Sequence, residues 1–181
     1  MAEQPKTYIT DEVRSFIGRE SEPVVAWELI EPGAVRRFTQ AIMDDDPVYW
    51  DPEAAAPSRY GAPAAPPLYP GFAFRRRPGT PDPLDRAKEN RDYDGIGGGG
   101  GGAGGLPPVH LPLDRVLNGG VEAEFFALAR HGDQITSQSR YADIYEREGR
   151  TGKMVFIVTE TTYTNQDGQI LAKIRNTGIR R

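Results

Sequence analysis

The pattern of apolar and polar positions predicts helices and irregular stretches first and strands afterwards. Thr10 to Gly18 reads as a short helix, with Thr10 as N-cap, Asp11 and Glu12 in the first turn and Gly18 as terminator; Val13, Phe16 and Ile17 share a face. Val24 to Ile30, rich in β-branched and aromatic residues and preceded by Pro23, is the first strand. Pro32 opens a second helix at a first-turn position, where its missing N–H costs nothing, and Val35, Phe38 and Ile42 follow the stripe of a half-buried helix. Pro52 to Ala56 is spaced for one further helical turn.

From Leu117 the pattern turns to strands. Asn118 to Leu128 comes first, then Gln134 to Tyr145 with Ile135, Ser137, Ser139 and Tyr141 on one face. Lys153 to Thr164 and Gln169 to Ile179 follow, joined by a Gly-containing loop at 146–152 and by the turn Asn165-Gln166-Asp167-Gly168. Helices gathered before a run of antiparallel strands predict an α+β domain with the helices on one side of the sheet.

Composition narrows this picture. The chain has 181 residues, enough for one domain with a sizeable core and too few for two ordinary ones. Gly 21 and Pro 16, with 38% hydrophobic residues, imply long irregular stretches between patterned segments. The net charge of −4 and the lack of a basic run with interleaved aromatics argue against nucleic acid as a partner. With no cysteine there is no disulfide, thiol nucleophile or thiolate metal site, and two histidines, His110 and His131, are too few for a histidine-rich metal cluster. No apolar run is long enough to span a bilayer, and Met1 to Lys6 lacks an apolar signal core, so a cytoplasmic protein is expected.

The chemistry-bearing stretch runs from Arg37 to Asp51. It begins as the second helix and ends in Asp44-Asp45-Asp46-Pro47-Val48-Tyr49-Trp50. Three adjacent carboxylates at a helix C-terminus are disfavoured by the dipole, which fits either a solvated acidic turn or a functional group kept for its chemistry. Ala65-Pro66-Pro67-Leu68-Tyr69-Pro70-Gly71-Phe72 is the second landmark. It reads either as an apolar turn or as a helix start whose free N–H groups face a ligand. Arg75-Arg76-Arg77 reads as a solvated face or a phosphate contact. Gly97 to Gly105, interrupted only by Ala103, lacks the Lys and Ser/Thr of a phosphate-binding loop and reads as a mobile loop. His110, between Pro108 and Pro112, reads as a hydrogen-bonded loop histidine.

The acidic stretch resembles the G-D-x-N-P-[LIV]-H signature of MaoC-like, R-specific enoyl-CoA hydratases and dehydratases. The signature's Asp falls on Asp44, its Asn on Asp46, its Pro on Pro47, its aliphatic residue on Val48, its Gly on Met43 and its His on Tyr49. The Pro-Pro segment, the His131-Gly132-Asp133 turn and the final hairpins follow in the family's order over roughly Val24 to Arg181. The resemblance implies a single hot-dog fold, an antiparallel sheet wrapped around a central helix starting near Tyr69 to Gly71. It divides the chain into a helical extension over 1–23 and a hot-dog domain over 24–181, with a flexible loop at 95–105.

By resemblance Asp44 and Tyr49 form a degenerate catalytic pair, and Asp46, Tyr69 and Gly71 contact substrate; no metal or cofactor is implied beyond a CoA thioester as substrate. In the family the Asp and His activate the water added to, or removed from, the acyl chain. Tyrosine, with an ordinary pKa near 10, is a poor base in histidine's place. The chain therefore resembles the half of a hydratase/dehydratase pair that lacks the catalytic His, related to the dehydratase-like N-terminal subfamily. A homodimer or a heterodimer with a second hot-dog is expected, since a lone hot-dog leaves a sheet edge open. A non-catalytic acyl-CoA-binding or structural subunit, and a self-sufficient hot-dog thioesterase using a carboxylate of the acidic run, are the alternatives.

Overall fold

In the computed structural model, which describes residues 7–74, 77–81, 85–90, 103–113, 115–150 and 152–181, three long antiparallel pairings carry the architecture. Strands β2 (Val116–Phe125), β3 (Thr136–Gly149), β4 (Gly152–Thr164) and β5 (Ile170–Arg180) join the short β1 (Val24–Val25) in one sheet, in the order β1-β3-β4-β5-β2. The α-helices among the described residues are α1 (Asp11–Arg14), α2 (Pro32–Ala41), α3 (Pro52–Ala55), α4 (Tyr69–Phe72) and α5 (Arg86–Glu89). The β-branched and aromatic composition of β4 suits its central place in the sheet. The result is the α+β hot-dog arrangement expected.

Alternation along β4 sends Val155, Ile157 and Tyr163 to one face and Glu160 to the other. The first face is covered in two places. At one end α2 and α4 lay Val35, Tyr69 and the half-buried Phe38 against Ile135 and Leu171, with Ala26, Ile30, Ala65 and Ala129 filling the same cluster. At the other end the N-terminal segment and residues 106–113 bring Val13 and Leu106 over Tyr141, Ile144 and Val155. Val155 and Tyr163 are eight residues apart on β4, which separates the two ends by about 25 Å.

Several expected boundaries shift. The strand expected over 24–30 is regular only at Val24–Val25, although Ala26 N–H and Ile30 N–H still donate to the carbonyls of Ile135 and Asp133. Helix α1 lasts one turn, capped by the Thr10 hydroxyl as expected, and Ile17 lies beyond it with 42% exposure. In α2, Val35 is buried but Ile42 is 50% exposed, and Thr39 takes the buried place. Ile42 leaves the stripe because the helix ends there and the chain reverses through Met43.

The helix from Tyr69 is one turn, shorter than the resemblance implies; Pro78, Gly79 and Pro81 follow it soon after. Most of the glycine run lies outside the described residues, as do Arg75 and Arg76. Its last members lie close to the sheet. Gly104 sits against Ser139, where a Cβ would collide with the hydroxyl, and Gly104 and Gly105 both have positive φ. Close approach to the sheet, rather than slack, is the use of glycine there.

Strand β2 is exposed along its whole length. It presents Val121 at 58% and Phe125 at 46% exposure, with Phe126 just beyond at 56%.

Candidate active site

The acidic stretch is built by the end of α2. Its last carbonyls are taken by successive N–H groups, and the Asp44 N–H donates to Thr39 O at 2.9 Å. The reversal needs a left-handed residue, and Met43 supplies it with φ 58°, the single non-glycine residue with positive φ among those described. A side chain at such a φ costs roughly 1–2 kcal/mol. The resemblance lays the signature's Gly on this position, and glycine takes such a φ without that cost.

Beyond the reversal, neighbouring N–H groups order two of the three carboxylates. Asp44 Oδ1 accepts from the Asp46 N–H at 3.2 Å, and Asp46 Oδ1 accepts from the Val48 N–H at 3.0 Å, capping the 3₁₀ turn Pro47–Tyr49. Asp51 then caps α3 through the Glu53 N–H. Asp44 is half-buried, whereas Asp45 and Asp46 are exposed.

Tyr49 packs half-buried against the α2 cluster. Burial raises its pKa first, and the carboxylates of Asp44 and Asp46 and the Tyr60 phenol add to that, opposed by Arg59. The group is therefore a protonated phenol close to Asp44, able to donate a hydrogen bond but not to take up a proton. Arg59 and Tyr60 border it: Arg59 Nη2 donates to the Tyr60 hydroxyl, with its guanidinium 4.8 Å from the ring centroid.

On the backbone side of Tyr49 lies His131. Its turn is fixed by Asp133, which is buried and accepts from Arg130 N–H at 2.7 Å and Gln166 Nε2 at 3.1 Å. Gly132 N–H donates to Ile30 O, and Arg130 Nη1 reaches Ala62 O, tying the turn to the chain on both sides of the acidic stretch. Burial lowers the His131 pKa, and the Tyr49 carbonyl beside the ring partly offsets this. No well-formed hydrogen bond reaches its Nε2, the one buried side-chain polar atom among the described residues with no partner. A buried polar atom left so costs about 1–3 kcal/mol.

The aromatic wall comes from α2 and α4. Tyr69 is 3% exposed; its ring lies 5.3 Å from Phe38 and 5.7 Å from Phe72, both edge-on. Gly71, half-buried on the same turn, faces the ring and hydroxyl of Tyr163. The structure thus gathers Asp44, Asp46 and Tyr49 on one loop, and Tyr69 and Gly71 on one helical turn across Phe38. His110 is exposed on the segment covering the far end of the sheet, away from the loop.

Arg59, Tyr60, His131 and Tyr163 join the site without a warning in the sequence. His131 was legible only as part of a turn. The others reach the site by tertiary packing, which no local pattern records.

The outer face of the sheet offers different chemistry. Glu160, nearly buried, accepts from Arg140 Nε at 2.9 Å and Arg175 Nε at 2.7 Å. Burial opposes its charge, yet the two guanidiniums hold its pKa below the usual value. Both carboxylate oxygens are occupied, so this is a cross-strand brace.

The comparisons fit this geometry. The family described as FAS1-like, dehydratase domain region, matches residues 15–174. A UPF0336 protein of Saccharopolyspora erythraea is 26% identical over 168 residues, covering 93% of this chain and 90% of the relative. Among solved structures, the ChsH1-ChsH2 complex of Mycobacterium tuberculosis is similar with TM-score 0.65 and 16% identity, over 89% of this chain and 83% of that one. The C-terminally truncated HadBC (3R-hydroxyacyl-ACP dehydratase) complex of Mycobacterium tuberculosis aligns with TM-score 0.56 and 18% identity, over 91% and 96%. Among the described residues no helix is long and apolar enough to cross a membrane.

Proposed function

The chain belongs to the FAS1-like dehydratase domain region family, and from that premise we propose that it is a subunit of an acyl-thioester hydratase/dehydratase whose catalytic histidine comes from a second hot-dog chain. The observation that carries this reading is Asp44, ordered on its loop, beside a Tyr49 phenol held protonated where the signature has its base.

Hydration of a 2-enoyl thioester needs a base to take a proton from water as the oxygen bonds to C3, and an acid to give a proton to C2. Dehydration reverses both transfers. Asp44 can orient the water, and Tyr49 can donate to it or to the substrate. The Tyr49 phenol, its pKa raised by burial, does not serve as that base, and the base is the partner's contribution.

The exposed β2 edge supports such a partner. Paired with β5 on one side, it lies at the sheet edge with large apolar side chains exposed, and edges of this kind pair with other strands. The two similar complexes, ChsH1-ChsH2 and HadBC, are themselves assemblies of more than one named chain. CoA is the thioester carrier we infer, with no further cofactor.

The test is a mixture. The chain is purified with the hot-dog subunit that accompanies it, and hydration of crotonyl-CoA is measured with native chain and with Asp44→Ala. A shared site predicts a loss of about 100-fold or more on Asp44→Ala. Unchanged activity would assign the chain a purely structural part in the complex.

A further inference from the structure

The wall beside Gly71 carries a donor to which the described residues offer no acceptor. Tyr163, on β4, is half-buried, and its ring lies 5.9 Å from Phe74. No hydrogen bond among the described residues reaches its hydroxyl, and burial alone sets its ionisation. Unlike His131 Nε2, this oxygen is not closed off from solvent, so a molecule entering beside it can reach it. Its direction is fixed by what it nearly touches. A Cβ placed on Gly71 would lie 3.3 Å from Tyr163 Oη and 3.7 Å from Cζ. A side chain at position 71 would crowd the hydroxyl, and glycine leaves the space beside it open.

We propose that the Tyr163 hydroxyl donates a hydrogen bond to the carbonyl oxygen of an acyl thioester lying against Gly71. The proposal rests on the hydratase/dehydratase reading of the site. In that chemistry the thioester oxygen gains negative charge as the bond changes at C2 and C3 proceed, and a fixed donor aimed at it favours the charged form. The phenol keeps its proton throughout; the proton and hydroxyl of water go to C2 and C3. Burial holds the Tyr163 phenol above its ordinary pKa, which suits a donor that must stay protonated. Its apolar surroundings, Phe74 and the α2–α4 cluster, supply no competing acceptor.

Tyr163→Phe tests this cleanly, because it keeps the ring and its packing and removes an oxygen that bonds no described residue. Calorimetry on the full-length protein compares crotonyl-CoA with S-(2-butenyl)-CoA, the thioether lacking the carbonyl oxygen. The native chain is expected to prefer the thioester by about three- to tenfold, the range of one hydrogen bond. Tyr163→Phe should erase that preference with an unchanged melting temperature, and Gly71→Ala should reduce it. Preference retained in Tyr163→Phe would overturn this proposal and leave the hydratase reading standing. Equal weakening toward both ligands would assign Tyr163 a packing role and overturn it too. Failure of the native chain to bind either ligand would overturn both.

Discussion

Two tyrosines on the covered face of the same sheet are treated differently. At the N-terminal end, Tyr141 is 3% exposed and its hydroxyl donates to Pro107 O at 2.8 Å. Around it the Tyr8 N–H is taken by Glu146 Oε2 at 2.9 Å, and Phe16 meets the Tyr141 ring edge-on. At the α2 end, among the described residues, Tyr163 Oη meets no acceptor and His131 Nε2 is buried without a partner, and Met43 carries a left-handed backbone. One end has its polar groups matched by its own chain. The other holds unmatched groups and strain: Met43 adjoins the acidic loop, His131 lies beside Tyr49, and Tyr163 lies against Gly71. Such imbalance concentrates where a protein serves something other than its own stability.

If the N-terminal end is structural, Leu106→Ala, at a side chain 2% exposed, should cost about 2–5 kcal/mol in urea denaturation while leaving ligand affinity of the folded fraction intact. The paired tyrosine variants sharpen the contrast. Tyr141→Phe should cost about 1–2 kcal/mol because it leaves the Pro107 carbonyl without its donor, whereas Tyr163→Phe should change stability by close to zero. Similar costs for both would remove the distinction.

The two ends should also titrate apart. The His131 pKa is lowered from 6.5 by burial, so the unfolded chain takes up the proton more readily. Stability is therefore lost as pH falls below about 6.5 toward the lower folded value. His131→Phe should flatten that limb of a stability-versus-pH curve. Glu146, whose pKa is lowered from 4.5 chiefly by the Tyr8 N–H, acts in the opposite chemical sense but the same direction: its contribution is lost only as pH drops below about 4.5. A curve with no slope just below about pH 6.5 would contradict the placement of His131. The smallest effect is at Met43. Met43→Gly should raise stability by about 0.5 kcal/mol, since relief at φ 58° exceeds glycine's added chain entropy by a small margin.

Much of the fold was legible because it is written locally. Thr10 and Pro32 cap or open helices where their chemistry suits them, and the alternation Ile135, Ser137, Ser139, Tyr141 gave the covered face of β3 directly. What failed was set by contacts distant in sequence. Ile42 belongs to the α2 stripe by spacing, but the reversal at Met43 carries it into solvent. Gly104 belongs to a low-complexity run, yet the Ser139 hydroxyl decides its role. For the site, the signature placed Asp44, Asp46 and Tyr49 on one loop. It could not place His131 or Tyr163, which arrive from the turn before β3 and from the end of β4.

The central claim is that this chain carries an acid-bearing but base-deficient half of a site. Its most direct test is the rate at which the isolated, unmodified chain hydrates crotonyl-CoA. The account predicts no more than a trace, rising when a His-bearing hot-dog subunit is added. Brisk hydration by the isolated chain would contradict it and would require that Tyr49, or a histidine within this chain, moves the proton.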